Sequence, residues 1–257
     1  MPLEIQPMTE SDIPTFVAIF MAAFEGGISR ILRTTPTPTP ESIASNEERF
    51  LKALREDSIA HFAKCVDSDT GEVVAGAKWN FYSEGRTEAE LQKALELPSE
   101  WPRGSNVPAL EAFLGMLARA RVDVMGGKRH ALLHILATLP SHHRRGAGAL
   151  LLREGLDRAE NEGIEAYLEA SKMGKPLYER FGFETVKELR IDTALYGGEG
   201  VDVHTCMIRQ PQARETGGGG GLEEGEVGGR ERSSGLGLGV RAASEYTAGC
   251  IALTSSP

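Results

Sequence analysis

Cysteine is scarce in this chain and scattered: Cys65, Cys206 and Cys250, with no CxxC pair. A sparse, odd-numbered set neither staples a small fold nor supplies zinc thiolates, so a disulfide framework and a Cys-based metal site are excluded. Long apolar runs are also missing. The longest, near Val17–Phe24 and Ala131–Leu139, fall far short of the ~20 residues that cross a bilayer. The opening MPLEIQPM carries neither a basic stretch nor a following apolar one, so no secretory leader is read there and a cytoplasmic location is expected. Basic charge is in deficit: 28 Lys and Arg against 37 Asp and Glu leave a net −9. An acidic body repels phosphate backbones, which argues against nucleic acid as the main partner. No membrane partner is expected, no internal repeat is present, and nothing in the sequence sets the oligomeric state.

Glycine is plentiful, with 30 residues, and twelve of them fall between Gln212 and Pro257, five in the run Gly217–Gly221. This tail lacks apolar periodicity and cannot bury enough surface to offset its ordering entropy. Residues 211–257 are therefore expected to be a disordered, dispensable tail behind one domain, residues 1–210. The tail holds four Arg and six Glu, a net −2, so the body keeps −7 of the −9.

Within the body the pattern alternates between strands and helices. Leu3–Met8 alternates as a short strand; Ile13–Phe24 follows the potential caps Thr9–Asp12 and ends at Gly26-Gly27. TTPTPTP (Thr34–Pro40) forbids helix, and a second helix starts at Pro40 and runs to about Arg55. Ile59–Val66 and Val73–Tyr82 flank the turn-forming Asp67–Glu72, a hairpin signal. Helices are predicted over Thr87–Leu97, Val107–Met125, Gly148–Gly163 and Pro176–Phe181, and strands over Ala131–Thr138, Glu165–Ser171, Phe183–Ile191 and Val203–Ile208. In the third of these helices Leu151, Leu152, Leu156 and Ala159 share one face. The order describes a mixed α/β sheet rather than a purely parallel one.

The most informative stretch is the run Leu136-Ala137-Thr138-Leu139-Pro140-Ser141-His142-His143-Arg144-Arg145-Gly146-Ala147-Gly148-Ala149. A buried strand enters a basic, glycine-bearing loop that opens directly into a helix. Glycine lets the backbone approach a ligand, and a helix N-terminus aims N–H groups at it, so the loop suits a phosphate or pyrophosphate. No GxxxxGK[ST] is present, and a dinucleotide fingerprint fails because Leu151 stands where a third small residue belongs. The adjacent His142 and His143 have no third metal ligand near them in sequence, so no metal is assigned.

His143-Arg144-Arg145-Gly146-Ala147-Gly148 resembles the coenzyme loop of the GCN5-related N-acetyltransferases, Gln/Arg-x-x-Gly-x-Gly/Ala, with His143 in place of the usual first residue. Leu168-Glu169-Ala170-Ser171 and Gly174-Lys175-Pro176-Leu177-Tyr178-Glu179-Arg180-Phe181-Gly182-Phe183 resemble the same family's strand–helix–Gly-Phe segment, and RRGAG, YLEAS and LYERFGF are like its fungal members. The resemblance spans roughly Leu3–Arg209 and is specific from Leu132 to Phe183. It implies a mixed, mostly antiparallel central sheet flanked by helices, the acyl-CoA N-acyltransferase fold. It also implies acetyl-CoA as co-substrate, no metal, and a small-molecule or peptide primary amine attacking directly in a ternary complex. Leu136, Ala137, Thr138, His143, Arg144, Arg145, Gly146, Ala147, Gly148, Ala149 and Ser171 would hold the coenzyme, although Ser171 reads equally well as a helix cap. Tyr178 would protonate the leaving thiolate, and Glu169 or His134, or a water chain, would serve as base. The first helix, Thr34–Pro40 and the segment from about Glu84 to Met125 would border the acceptor. A non-catalytic acyl-CoA sensor on the same fold is the alternative.

Overall fold

The computed structural model describes residues 2–212 and the backbone of Ile251–Ala252. The disorder expected for the rest of the tail lies outside the described residues. Seven strands, β1 (Leu3–Pro7), β2 (Ala60–Asp67), β3 (Val73–Tyr82), β4 (His130–Thr138), β5 (Glu165–Ser171), β6 (Glu184–Asp192) and β7 (Val201–Arg209), are joined by a two-residue strand, β8 (Ile251–Ala252). Among the described residues six α-helices accompany them: α1 (Ile13–Ala23), α2 (Pro40–Glu56), α3 (Glu88–Ala94), α4 (Val107–Met125), α5 (Ala147–Glu162) and α6 (Lys175–Arg180).

Local chemistry sets the helix ends. Thr39 Oγ1 accepts from the Ser42 N–H at 3.1 Å and Pro40 opens α2 with its φ already helical. Thr87 and Glu90 form a reciprocal capping box on α3. That helix stops at Ala94, short of the expected Leu97, because Pro98 follows so closely. Helix α5 closes on Gly163 in the left-handed region, φ +63°.

The sheet order is β1-β2-β3-β4-β8-β5-β7-β6. From β1 to β4 neighbours are antiparallel, β4 and β5 are parallel across α5, and β5, β7 and β6 are again antiparallel. This is the mixed, mostly antiparallel sheet expected. Helices α1, α2 and α4 cover one face, where Phe16, Phe50 and Phe62 meet with ring centroids 5.2, 6.1 and 6.2 Å apart. Each such pair adds about 0.5–1.5 kcal/mol beyond its buried area. Helix α5 covers the other face with Leu151, Leu152, Leu156 and Ala159. It lies close because Gly155 has no side chain; a Cβ there would overlap the buried Trp79 indole.

Candidate active site

The two parallel strands at the centre of the sheet do not stay together. β4 and β5 pair only from His130↔Glu165 to Leu132↔Tyr167. Beyond that point β8 lies between them, with Ile135↔Ile251 and Leu136↔Ala252 on one side and Ala170↔Ala252 on the other. Since one strand bridges both walls, the opening is about two strand spacings wide, roughly 9–10 Å. It therefore accepts one extended chain able to hydrogen-bond on both edges. On the other side of β4 the ladder slips: Leu133 faces Trp79 and Ile135 faces Lys78, leaving His134 as the extra residue of a bulge.

At the C-terminal end of β4, the glycine loop is shaped by backbone conformation and by two side-chain clamps. Arg144 has φ +61°, the single positive value among the described non-glycine residues, and Gly146 follows at φ +95° as the N-cap of α5. The first N–H groups of a helix have no acceptor within it, so this turn presents donors to a ligand. Gly148 is different in kind: it is helical, and a Cβ there would meet Thr138 Oγ1 and Leu136 Cδ2 at an ordinary 3.7 and 3.8 Å. The Arg144 side chain is exposed. Arg145 instead turns back to Asp67 at the end of β2, donating from Nη2 at 2.7 Å, and it also contacts His142. That guanidinium holds the Asp67 carboxyl below the usual range. The His143 imidazole meets the Thr138 carbonyl at 3.1 Å, tying the loop to the strand end.

The ionisable candidates meet in a buried cluster. Glu169 on β5 is fully buried, and its two oxygens accept from Arg121 Nε at 2.8 Å and Nη2 at 3.1 Å. His134 stands with Nδ1 3.3 Å from Lys78 Nζ and Nε2 3.5 Å from Arg121 Nη1. A neutral imidazole has one donor and one acceptor, so two donor-only cations cannot both hydrogen-bond to it. Burial, with the charges of Lys78, Arg121 and Arg49, holds the imidazole well below its usual pKa and hence neutral. Lys78, itself buried on β3, also lies 5.7 Å from the Phe62 ring centroid. Lys78 and Arg121 escaped the sequence reading. The one signal was a lysine inside the apolar run VVAGAKWNFY; Arg121 looks like any polar residue on a helix.

On the α5 face, Tyr178 of α6 is fully buried with its ring edge-on to Phe183, centroids 5.9 Å apart. Ser171 Oγ accepts from the Gly174 N–H at 3.1 Å, a capping role. On the other face, a cavity of about 450 Å³ opens between α1, α2, α4 and the loop carrying Trp101. Phe20, Phe24, Leu32 and Trp101 line it, with Arg49 among its polar groups; burial pulls that guanidinium down to about 10. Among the described residues no group of three His, Cys, Asp or Glu could hold a metal ion, and no helix is long and apolar enough to cross a membrane.

Comparison with known proteins places this geometry. The model of the acetyltransferase (GNAT) family matches residues 28–183. The histone acetyltransferase HPA2 and related acetyltransferase of Corynebacterium glutamicum superposes with a TM-score of 0.52 at 23% identity, over 84% of this chain and all of that one. A mosquito arylalkylamine N-acetyltransferase-like protein 5b gives 0.58 at 16%, over 81% of this chain and all of its own. The Drosophila melanogaster polyamine N-acetyltransferase gives 0.57 at 14%, with the same coverages. Identities this low establish the shared fold.

Proposed function

The chain belongs to the acetyltransferase (GNAT) family, and from that premise we propose that it transfers the acetyl group of acetyl-CoA to a primary amine by direct attack in a ternary complex. The observation that carries this reading is the parting of β4 from β5 beside the glycine-capped start of α5. A coenzyme arm with its two amides is an extended chain of the kind such an opening accepts, and the donors of the loop suit its pyrophosphate.

When bound, the coenzyme supplies an activated acyl thioester; the residues of the chain do the rest. Gly146, Ala147, Gly148 and Ala149, with Arg144, hold the pyrophosphate. Arg145 and His143 act by fixing the loop to β2 and β4. The edge of β4 at Leu136, Ala137 and Thr138 aligns the arm, and an N–H there opposes the charge that develops on the thioester oxygen. The amine forms the new C–N bond as the C–S bond breaks, and Tyr178 donates its hydroxyl proton to the departing sulfur. Both oxygens of Glu169 are engaged by Arg121, which supports a positioning role, with the amine proton leaving through water. Ser171 shapes the β5–α6 turn.

The cavity walled by Phe20, Phe24, Leu32 and Trp101 takes the body of the acceptor, a small molecule or a peptide end. The acidic body favours a cationic amine over an anionic one, and the wording of RRGAG, YLEAS and LYERFGF supports a fungal-type member. A free-thiol assay with acetyl-CoA and a panel of amines tests the proposal. Thiol release that depends on the amine is expected; coenzyme binding without release from any amine would replace the enzyme by the sensor reading.

A further inference from the structure

We propose that the opening between β4 and β5 is also the docking site of the chain's own C-terminal strand, β8, which excludes acetyl-CoA while it is seated. The proposal rests on the acetyltransferase reading for the identity of the competitor, and on the strand pairing for the docking itself. β8 is held from both sides: Ile135 and Leu136 of β4 pair with Ile251 and Ala252, and Ala170 of β5 pairs with Ala252. Its register begins at the residue that follows the His134 bulge, and it runs parallel to β4, from the bulge toward the strand end that feeds α5. Leu136 is thus claimed twice, by β8 and by the coenzyme arm. Two extended amide chains cannot occupy one opening, since each needs the same backbone edge.

Reach and strength both fit a reversible device. Residues 210–250 connect β7 to β8, and at up to ~3.3–3.6 Å per residue such a length spans any distance within one domain. Attachment in cis gives a strand an effective concentration of order millimolar, so weak docking is still populated. Only two residues pair, which keeps the seat displaceable. Coenzyme affinity is then multiplied by the fraction of molecules with the opening free; a strand seated nine-tenths of the time costs about tenfold.

The full-length protein and its Ala252→Pro variant separate the possibilities. Proline deletes a ladder donor and is not accommodated between two strands, and Ala252 is itself assigned to neither coenzyme nor acceptor. Amide hydrogen exchange without coenzyme reads docking directly: residues 135, 136 and 170 are expected to exchange at least about tenfold faster in the variant. Calorimetric titration reads competition: acetyl-CoA is expected to bind the variant about tenfold more tightly, and a synthetic 249–257 peptide added to the variant should weaken it again. Equal exchange and equal affinity in the two proteins overturn the docking. Faster exchange in a variant that binds no acetyl-CoA overturns the acetyltransferase reading, and the competition with it.

Discussion

Replacing Arg121 by methionine leaves Glu169 as a fully buried carboxylate without the guanidinium that holds both its oxygens. Methionine keeps most of the stem volume, so the change removes charge and hydrogen bonds rather than packing. Breaking one side of a buried ion pair costs about 3–5 kcal/mol, because the remaining charge is stranded in a poorly solvated place. For a domain of this size 1 kcal/mol moves Tm by roughly 2–4 °C, so a loss of about 6–20 °C is expected. Glu169→Leu alone should cost a similar amount, since it strands Arg121, whose side chain is 14% exposed. The double variant should cost less than the sum and less than either single change, because neither member of the pair is left stranded. Calorimetric melts of the four proteins at pH 7 close the cycle. Additive losses, or singles costing under about 1 kcal/mol, would mean that water reaches the pair and that it behaves as a surface contact.

Four further variants test the site and the fold around it. Tyr178→Phe should retain coenzyme affinity and lose roughly 10²-fold in kcat; undiminished kcat between pH 6 and 9 would leave the tyrosine a packing residue. Gly148→Asp should fold, since a Cβ there meets only ordinary contacts, yet lose acetyl-CoA binding because a carboxylate enters the pyrophosphate path. Gly146→Asp should lose binding and also stability, since its φ is +95°, and normal coenzyme affinity in either variant would refute the loop assignment. The buried His130, whose Nδ1 faces the Lys128 carbonyl at 2.8 Å, has its pKa pulled by burial from 6.5 to about 4. Between those values the unfolded chain binds the proton first, so stability falls as pH drops, by up to about 1.4 kcal/mol per unit. The Tm of His130→Gln should therefore decline less from pH 7 to pH 5 than the parent's, and parallel declines would discount the histidine.

Punctuation and periodicity were enough to find nearly every element of the body. Pro40 after Thr39, the Thr87–Glu90 pair and Gly163 act within a few residues of themselves, and such local energetics are written in the sequence. So were the buried stripe of α5 and the glycine turn at its start, while the family showed in the resemblance of that turn and of the segment Leu168–Phe183 to its motifs. What sequence alone left open was which way the loop's arginines face and what surrounds the acids. Arg145 looked like an anion ligand beside Arg144, yet its best partner is Asp67, 78 residues away. Glu169 looked like a candidate base until folding brought Arg121, 48 residues distant, onto both its oxygens. Lys78 and His134 became neighbours only through the pairing of β3 with β4, 56 residues apart in the chain. The strand at Ile251–Ala252 lies beyond a glycine-rich segment that offers no local signal, because its pairing depends on an opening made by two other strands. Short-range preferences choose helix, strand and turn; only closure of the sheet decides which charges meet and where an edge is left open.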